Sequence, residues 1–283
     1  MHTVRQQIES NRPVFIGRIA GVELQTAYHL VYGKHAELPG NIAELENNAG
    51  IRVASQESLQ RYVDRLLAAY DHCTAIAEWE QHGQVFAITG KGQQLIARRT
   101  PSIPKFPARA LEPFYAFLES ADTWYWMPAL KGKRILVIHP FQATIQAQLP
   151  HLPILFEGHP EWFEGCTFQV IKPPITLAGN HENKDWQDHY QAFITDLPSL
   201  VQEFDVALVA AGGYGMLIAD EIYTRMNKSV IYVGGALQLF FGIIGKRWFD
   251  QPDVMKLVTD DWVRPAAADK PPQAARVEKG CYW

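Results

Sequence analysis

The stretch FDVALVAAGGYG, Phe204–Gly215, decides the fold class. Within it, Asp205–Ala210 (DVALVA) is almost continuously apolar, so both faces of a strand would be buried, as in a parallel sheet covered by helices. Gly212, Gly213 and Gly215 follow at once around Tyr214, and Met216–Met226 has helical spacing. Strand, glycine turn and helix in that order make half of a βαβ unit. The pattern recurs on either side. Arg134–Ile138 (RILVI) follows the polar turn Lys131–Lys133 and leads through His139-Pro140-Phe141 to a helix over Thr144–Leu149. Thr167–Ile171 is a further strand, Trp186–Phe204 a helix, and Ser229–Val233 (SVIYV) a strand ending on Gly234-Gly235. The alternation predicts an α/β chain: a Rossmann-like, mostly parallel sheet flanked by helices.

The first half is less regular. Pro13–Gly17 (PVFIG) reads as a buried strand, Gly21 as a turn, and Val22–Val31 as a helix. Ser55 is a good N-cap for a helix carrying Leu59, Tyr62, Val63, Leu66, Leu67 and Tyr70 on one face. Val85–Thr89 reads as a strand, Pro101–Pro107 as a proline-rich connection and candidate boundary, and Ala110–Leu118 as a short helix. Arg264–Arg276, rich in Pro and Ala, reads as an extended wrap or a loosely ordered tail. We expect one domain over 1–283, with a strand-turn-helix and helical part (1–107), a nucleotide-binding type of sheet (108–250) and a C-terminal tail (251–283).

Composition narrows the classes. The 283 residues are 47% hydrophobic and 20% charged, with a formal net charge of -4. That balance disfavours a nucleic-acid binder, which needs a basic surface. Cys73, Cys166 and Cys281 are scattered, as in reduced thiols rather than a disulfide framework or zinc site. The N-terminus lacks an apolar signal region, and no run reaches the ~18 apolar residues that span a bilayer. A cytoplasmic protein is expected, with peripheral attachment at the inner membrane and homo-oligomerisation left open.

Chemistry is expected at the carboxyl ends of the strands, where ligands of such sheets bind. Gly212, Gly213, Tyr214 and Gly215 would let backbone N–H groups approach a phosphate, or would simply make a tight turn; GxGxxG is poorly matched and a P-loop is absent. His139, with Pro140 and Phe141 after it, is either a phosphate donor or base, or a satisfied turn histidine. Gly234, Gly235 and Gln238 close the last strand, and Lys246, Arg247 and Trp248 downstream offer cations and an aromatic face. Arg18 and Glu23 flank the turn at Gly21, where the carboxylate also suits a helix N-terminus. Asn48 lies in Glu46–Gly50, read as a polar loop able to meet sugar hydroxyls.

These segments carry a resemblance. IGRIAGVE (Ile16–Glu23), NNAG (Asn47–Gly50), LEPFY (Leu111–Tyr115), LKGKRILVIHPF (Leu130–Phe141), FDVALVAAGGYG, GGALQLFFGIIGKRW (Gly234–Trp248) and the terminal GCYW resemble the GT-D-fold glycosyltransferases of bacterial polysaccharide and glycoprotein assembly. The resemblance implies transfer of a sugar from a nucleoside diphosphate, a UDP- or dTDP-sugar, to a saccharide acceptor, free or lipid-linked. It implies an arginine followed by an Asp-x-Glu signature that holds Mn²⁺ or Mg²⁺ and the diphosphate. Arg18 matches the arginine and Glu23 the glutamate, the one metal ligand retained, while Gly21 stands where the aspartate is expected. Glu23 is then the first candidate for metal ligand or acceptor base, and His139 the second candidate base. Two other readings remain open: a non-catalytic nucleotide- or sugar-binding protein, and a Rossmann oxidoreductase, which the broken glycine fingerprint disfavours.

Overall fold

The computed structural model describes residues 4–10, 12–113, 126–156 and 163–283. Seven strands form one sheet: β1 (Phe15–Arg18), β2 (Ala75–Glu78), β3 (Lys105–Pro107), β4 (Arg134–Ile138), β5 (Thr167–Ile171), β6 (Val206–Val209) and β7 (Ser229–Tyr232). Their order is β3-β2-β1-β7-β6-β4-β5, and every neighbouring pair is parallel. The fold is α/β and Rossmann-like. Strands from 1–107 and from 108–250 share the sheet through the β1–β7 pairing, with Phe15 opposite Val230 and Ile16 opposite Ile231. β4 and β6 are neighbours whose crossovers leave in opposite directions, to β5 and to β7, which makes a switch point.

The described helices include α1 (Val4–Glu9), α2 (Val22–Val31), α3 (Leu38–Ala49), α4 (Gln56–Asp71), α5 (Gly83–Arg99), α6 (Gln142–Gln148), α7 (Leu152–Leu155), α8 (Trp186–Leu200) and α9 (Gly215–Thr224). Strand residues alternate between two buried cores. Ile135, Val137, Val206, Leu208 and Ile231 belong to one, and Leu136, Ile138, Ala207, Val209 and Val230 to the other. Burial on both faces is the reason these strands read as unbroken apolar runs. No described helix is long and apolar enough to cross a membrane.

Three local expectations are corrected, and a fourth lies largely outside the described residues. Val85–Thr89 is no strand but part of α5, where the Thr89 hydroxyl donates to the Val85 carbonyl four residues back at 2.9 Å. The strand of this region is β2, AIAE, in which only Ile76 favours a strand, and it is held by pairing with β1 and β3 on both sides. Pro101–Pro107 contains edge strand β3, and prolines are tolerated there because an edge leaves N–H positions free. Glu46–Gly50 is the last turn of α3, closed by Gly50 in the left-handed region at φ 76°. For Ala110–Leu118, a 3-10 turn spans Ala108–Leu111, and 114–118 lie outside the described residues.

The tail wraps the body. Ala274, Val277 and Trp283 enter the first core, and buried Asp269 caps α6. Its carboxylate accepts from the Thr144 N–H at 2.7 Å, the Thr144 hydroxyl at 2.6 Å and the Ala143 N–H at 3.2 Å.

Candidate functional site

The charged groups collect where β1 and β7 end side by side. Arg18 is the last residue of β1 and is buried. Its Nη1 donates to the Val233 carbonyl just past β7, and its Nη2 to Glu112 Oε1 at 2.8 Å. The guanidinium lies 4.4 Å from the centre of the Trp79 ring at the end of β2, and Arg109 approaches the same ring at 5.4 Å. Arg109 also pairs with Glu112 Oε2 at 3.2 Å and Glu80 Oε1 at 2.9 Å. Arg18 Nε is buried with no hydrogen-bond partner among the described residues. Tyr70 fixes the following turn from below: its hydroxyl donates to the Arg18 carbonyl at 2.7 Å and accepts from the Ala20 N–H at 3.2 Å.

That turn delivers Glu23 in the first turn of α2, after a Gly21 N-cap that contributes no side chain. Glu23 is buried and makes no side-chain hydrogen bond or ion pair with another described residue. Burial, with a smaller push from the Glu278 carboxylate, raises its carboxyl above the ordinary glutamate value, although its own backbone N–H pulls it back. A buried acid with a raised pKa is suited to proton transfer near neutral pH.

β7 leads into the glycine pair Gly234-Gly235. Gly234 and Gly235 are half-buried, and a Cβ on Gly234, at φ 71°, would stand 3.1 Å from Arg18 Nη1. Arg247 lies close enough to Arg18 to act on it electrostatically. It donates to the Tyr282 hydroxyl at 2.9 Å and to Glu278 Oε2 at 2.9 Å, and stacks 4.8 Å over the Tyr282 ring. Arg18, Glu23, Gly21, Gly234, Gly235 and Arg247 therefore belong to one locality.

Other expected residues do not join them. His139 is buried, and its Nδ1 accepts the Phe141 N–H at 2.9 Å, which leaves the proton on Nε2. Burial pushes its pKa down to about 3. A neutral histidine with its acceptor nitrogen occupied is a poor base, so the catalytic role expected of His139 does not fit. Pro140 is half-buried, and buried Phe141 packs on Trp283 at 6.0 Å, in place of a ligand. Gln238 is buried and donates to the Ile243 carbonyl at 3.1 Å, closing a turn. Lys246 is exposed. Asn48 sits on the last turn of α3 and accepts from Asn47 at 2.7 Å.

The Gly212–Gly215 turn is also filled from within. A Cβ on Gly213 would stand 2.3 Å from Ile51 Cγ1, one on Gly215 2.2 Å from Tyr232 Cε2, and one on Gly212 3.0 Å from the Ala49 carbonyl oxygen. The Tyr62 hydroxyl donates to the Gly213 carbonyl at 2.9 Å, and the Tyr214 hydroxyl to the Gly50 carbonyl at 3.3 Å. These glycines admit neighbouring protein rather than phosphate. Gly215→Ala, whose own φ of -58° suits any residue, should therefore lose about 1–3 kcal/mol through overpacking alone. Urea unfolding checks this: an unchanged midpoint would mean Tyr232 yields freely. With α6 capped by Asp269, the β4–β6 switch point is occupied by the chain itself, and the β1–β7 junction is the better-equipped end of the sheet.

Glu112, Trp79, Arg109, Tyr282 and Glu278 were not singled out from the sequence, and Tyr70 was read only as part of a helix face. LEPFY and GCYW stood among the quoted motifs and contained two of them. A depression lined by Leu149, Pro153, Phe163, Glu164 and Phe168 lies at the start of the edge strand β5, away from the β1–β7 junction.

The donor set does not fit a resident divalent metal. Mn²⁺ and Mg²⁺ take several hard oxygen ligands. Gly21 offers none, Glu278 is committed to Arg247, and among the described residues no three His, Cys, Asp or Glu side chains gather. Comparison with protein-family models, curated proteins and solved structures gives no match.

Proposed function

We propose that the chain is a glycosyltransferase that takes a sugar from a UDP- or dTDP-sugar and passes it to a saccharide acceptor in bacterial surface-glycan synthesis, acting in the cytoplasm. One observation carries the reading: a buried carboxyl, Glu23, with no side-chain partner among the described residues, shares the β1–β7 junction with two arginines, Arg18 and Arg247, through Glu278, which pairs with Arg247 and acts on Glu23. The diphosphate lies over Gly234-Gly235 once the Tyr282 ring, which stands 2.7 Å from where a Cβ on Gly235 would lie, has moved aside. Arg18 and Arg247 stabilise the charge that grows on the diphosphate as it leaves. The acceptor hydroxyl attacks the anomeric carbon, the bond from that carbon to the phosphate oxygen breaks with its electron pair, and Glu23 takes the hydroxyl proton. His139 has no part in the step, and none is routed through a metal.

A screen of thermal stability against UDP, dTDP, GDP, CMP and NAD, each with Mn²⁺ and with EDTA, tests this. A uridine or thymidine diphosphate at about 100 times its dissociation constant adds about 2.7 kcal/mol. That corresponds to a rise in Tm of roughly 5–10 °C, the same in EDTA. Stabilisation by NAD alone would point to an oxidoreductase, and no shift with any nucleotide would sink the proposal. The loss of an aspartate at Gly21 favours a second reading, a non-catalytic nucleotide- or sugar-binding protein. Binding with no hydrolysis or transfer of the sugar would select it.

A further inference from the structure

We propose that segment 278–283 is an internal strap over the β1–β7 site, in which Glu278 holds Arg247 until a ligand's phosphate displaces it. This rests on the diphosphate reading of the two arginines. Both terminal nitrogens of Arg247 and its backbone N–H are bonded to the strap. Nη2 is on Glu278 and Nη1 on the Tyr282 hydroxyl, while the Arg247 N–H donates to the Cys281 carbonyl at 2.8 Å. The Tyr282 ring also covers Gly235, where a Cβ would stand 2.7 Å from its Cε1.

The strap is built to be exchanged. The side chains of Arg247 and Glu278 are 38% and 40% exposed, whereas those of Arg18 and Glu112 are 9% and 6% exposed. A solvent-exposed ion pair contributes little net stability, so a phosphate can replace its carboxylate at small cost, which is not true of the buried pair. Glu278 also faces its like charge Glu23, an unfavourable neighbour that a departing strap removes. The backbone at Glu278, Lys279 and Gly280 runs through φ 44°, 59° and 73°, a left-handed succession disfavoured for the two residues that carry a Cβ. At the far end Trp283 is buried, yet its Nε1 has no hydrogen-bond partner among the described residues. Upstream, Asp269 ties the tail to α6 and Ala274 and Val277 enter the first core, so release is confined to residues 278–283.

The test pairs calorimetric titration with hydrogen exchange of the 277–283 peptide, in the full chain and in Glu278→Gln, using inorganic pyrophosphate and UDP as probes. The Gly280 and Trp283 amides, bonded at 2.7 and 3.2 Å to Val277 and Gly280, report the strap. Either probe should speed their exchange several-fold in the unmodified protein. Glu278→Gln should exchange faster without a probe and bind pyrophosphate several-fold more tightly. Unchanged or weaker binding in the variant, or exchange slowed by the probe, overturns the strap. If UDP binds both proteins alike, the strap alone falls. If pyrophosphate releases the segment but no nucleotide binds either protein, the strap stands and the nucleotide-sugar reading falls. If neither protein binds pyrophosphate, both fall.

Discussion

Arg18→Met should lower the free energy of unfolding by about 3 kcal/mol and remove nucleotide-induced stabilisation altogether. The stability loss comes from what the arginine leaves behind. Glu112 is buried and accepts from Arg18 Nη2, and the Val233 carbonyl accepts from Nη1. Removing one member of a buried ion pair strands the other in a low-dielectric environment, typically for about 3–5 kcal/mol. The lower end applies because Arg109 still reaches the second Glu112 oxygen at 3.2 Å. Methionine keeps most of the apolar stem against Trp79, so the loss reports charge and hydrogen bonding more than volume. The double variant Arg18→Met, Glu112→Gln should recover part of the stability, because no buried charge is then unpaired, but none of the nucleotide response. Urea midpoints and thermal shifts with UDP measure both. A single variant as stable as the parent would show that Glu112 is hydrated or neutral. A retained nucleotide response would move the diphosphate away from β1.

The sheet was legible where its strands are unbroken apolar runs. RILVI and DVALVA announce burial on both faces, and PVFIG and SVIYV also read as strands. β2 was not, because AIAE becomes a strand only by lying between β1 and β3. The site divides along the same line. Arg18, Glu23, Gly234 and Gly235 stand at or near strand ends, which topology draws together, whereas Arg247 comes from the turn Lys246–Trp248 further along the chain. Glu112 is 94 residues from Arg18 and Glu278 is 31 from Arg247, and nothing local marks either as a partner. The glycine turn misled for a different reason. A position needs glycine whenever something approaches its Cα closely, and the sequence does not say whether that is a phosphate or Ile51 and Tyr232.

Glu23→Gln should abolish transfer, by a factor on the order of 100 to 10,000, while making the protein more stable at neutral pH. The two effects share one cause. Burial raises the folded-state pKa of Glu23 above its unfolded value of about 4.3. The folded protein therefore binds that proton more tightly than the unfolded chain does. The resulting stabilisation is complete below the unfolded pKa and is lost as pH rises through the folded one. The unmodified protein therefore loses it progressively as pH rises above the unfolded value, and a neutral glutamine does not. The N-terminus of α2 pulls the other way, because it favours a carboxylate in its first turn by about 0.3–1 kcal/mol. Urea unfolding of both proteins at pH 4 and pH 8 decides between these effects. If burial dominates, the variant gains on the parent between pH 4 and pH 8. If the helix terminus dominates, the variant loses, and Glu23 is a helix-stabilising charge rather than a base held ready by desolvation. Retained transfer in a well-folded Glu23→Gln would require another proton acceptor, and His139, with its acceptor nitrogen already bonded to the Phe141 N–H, is not equipped to replace it.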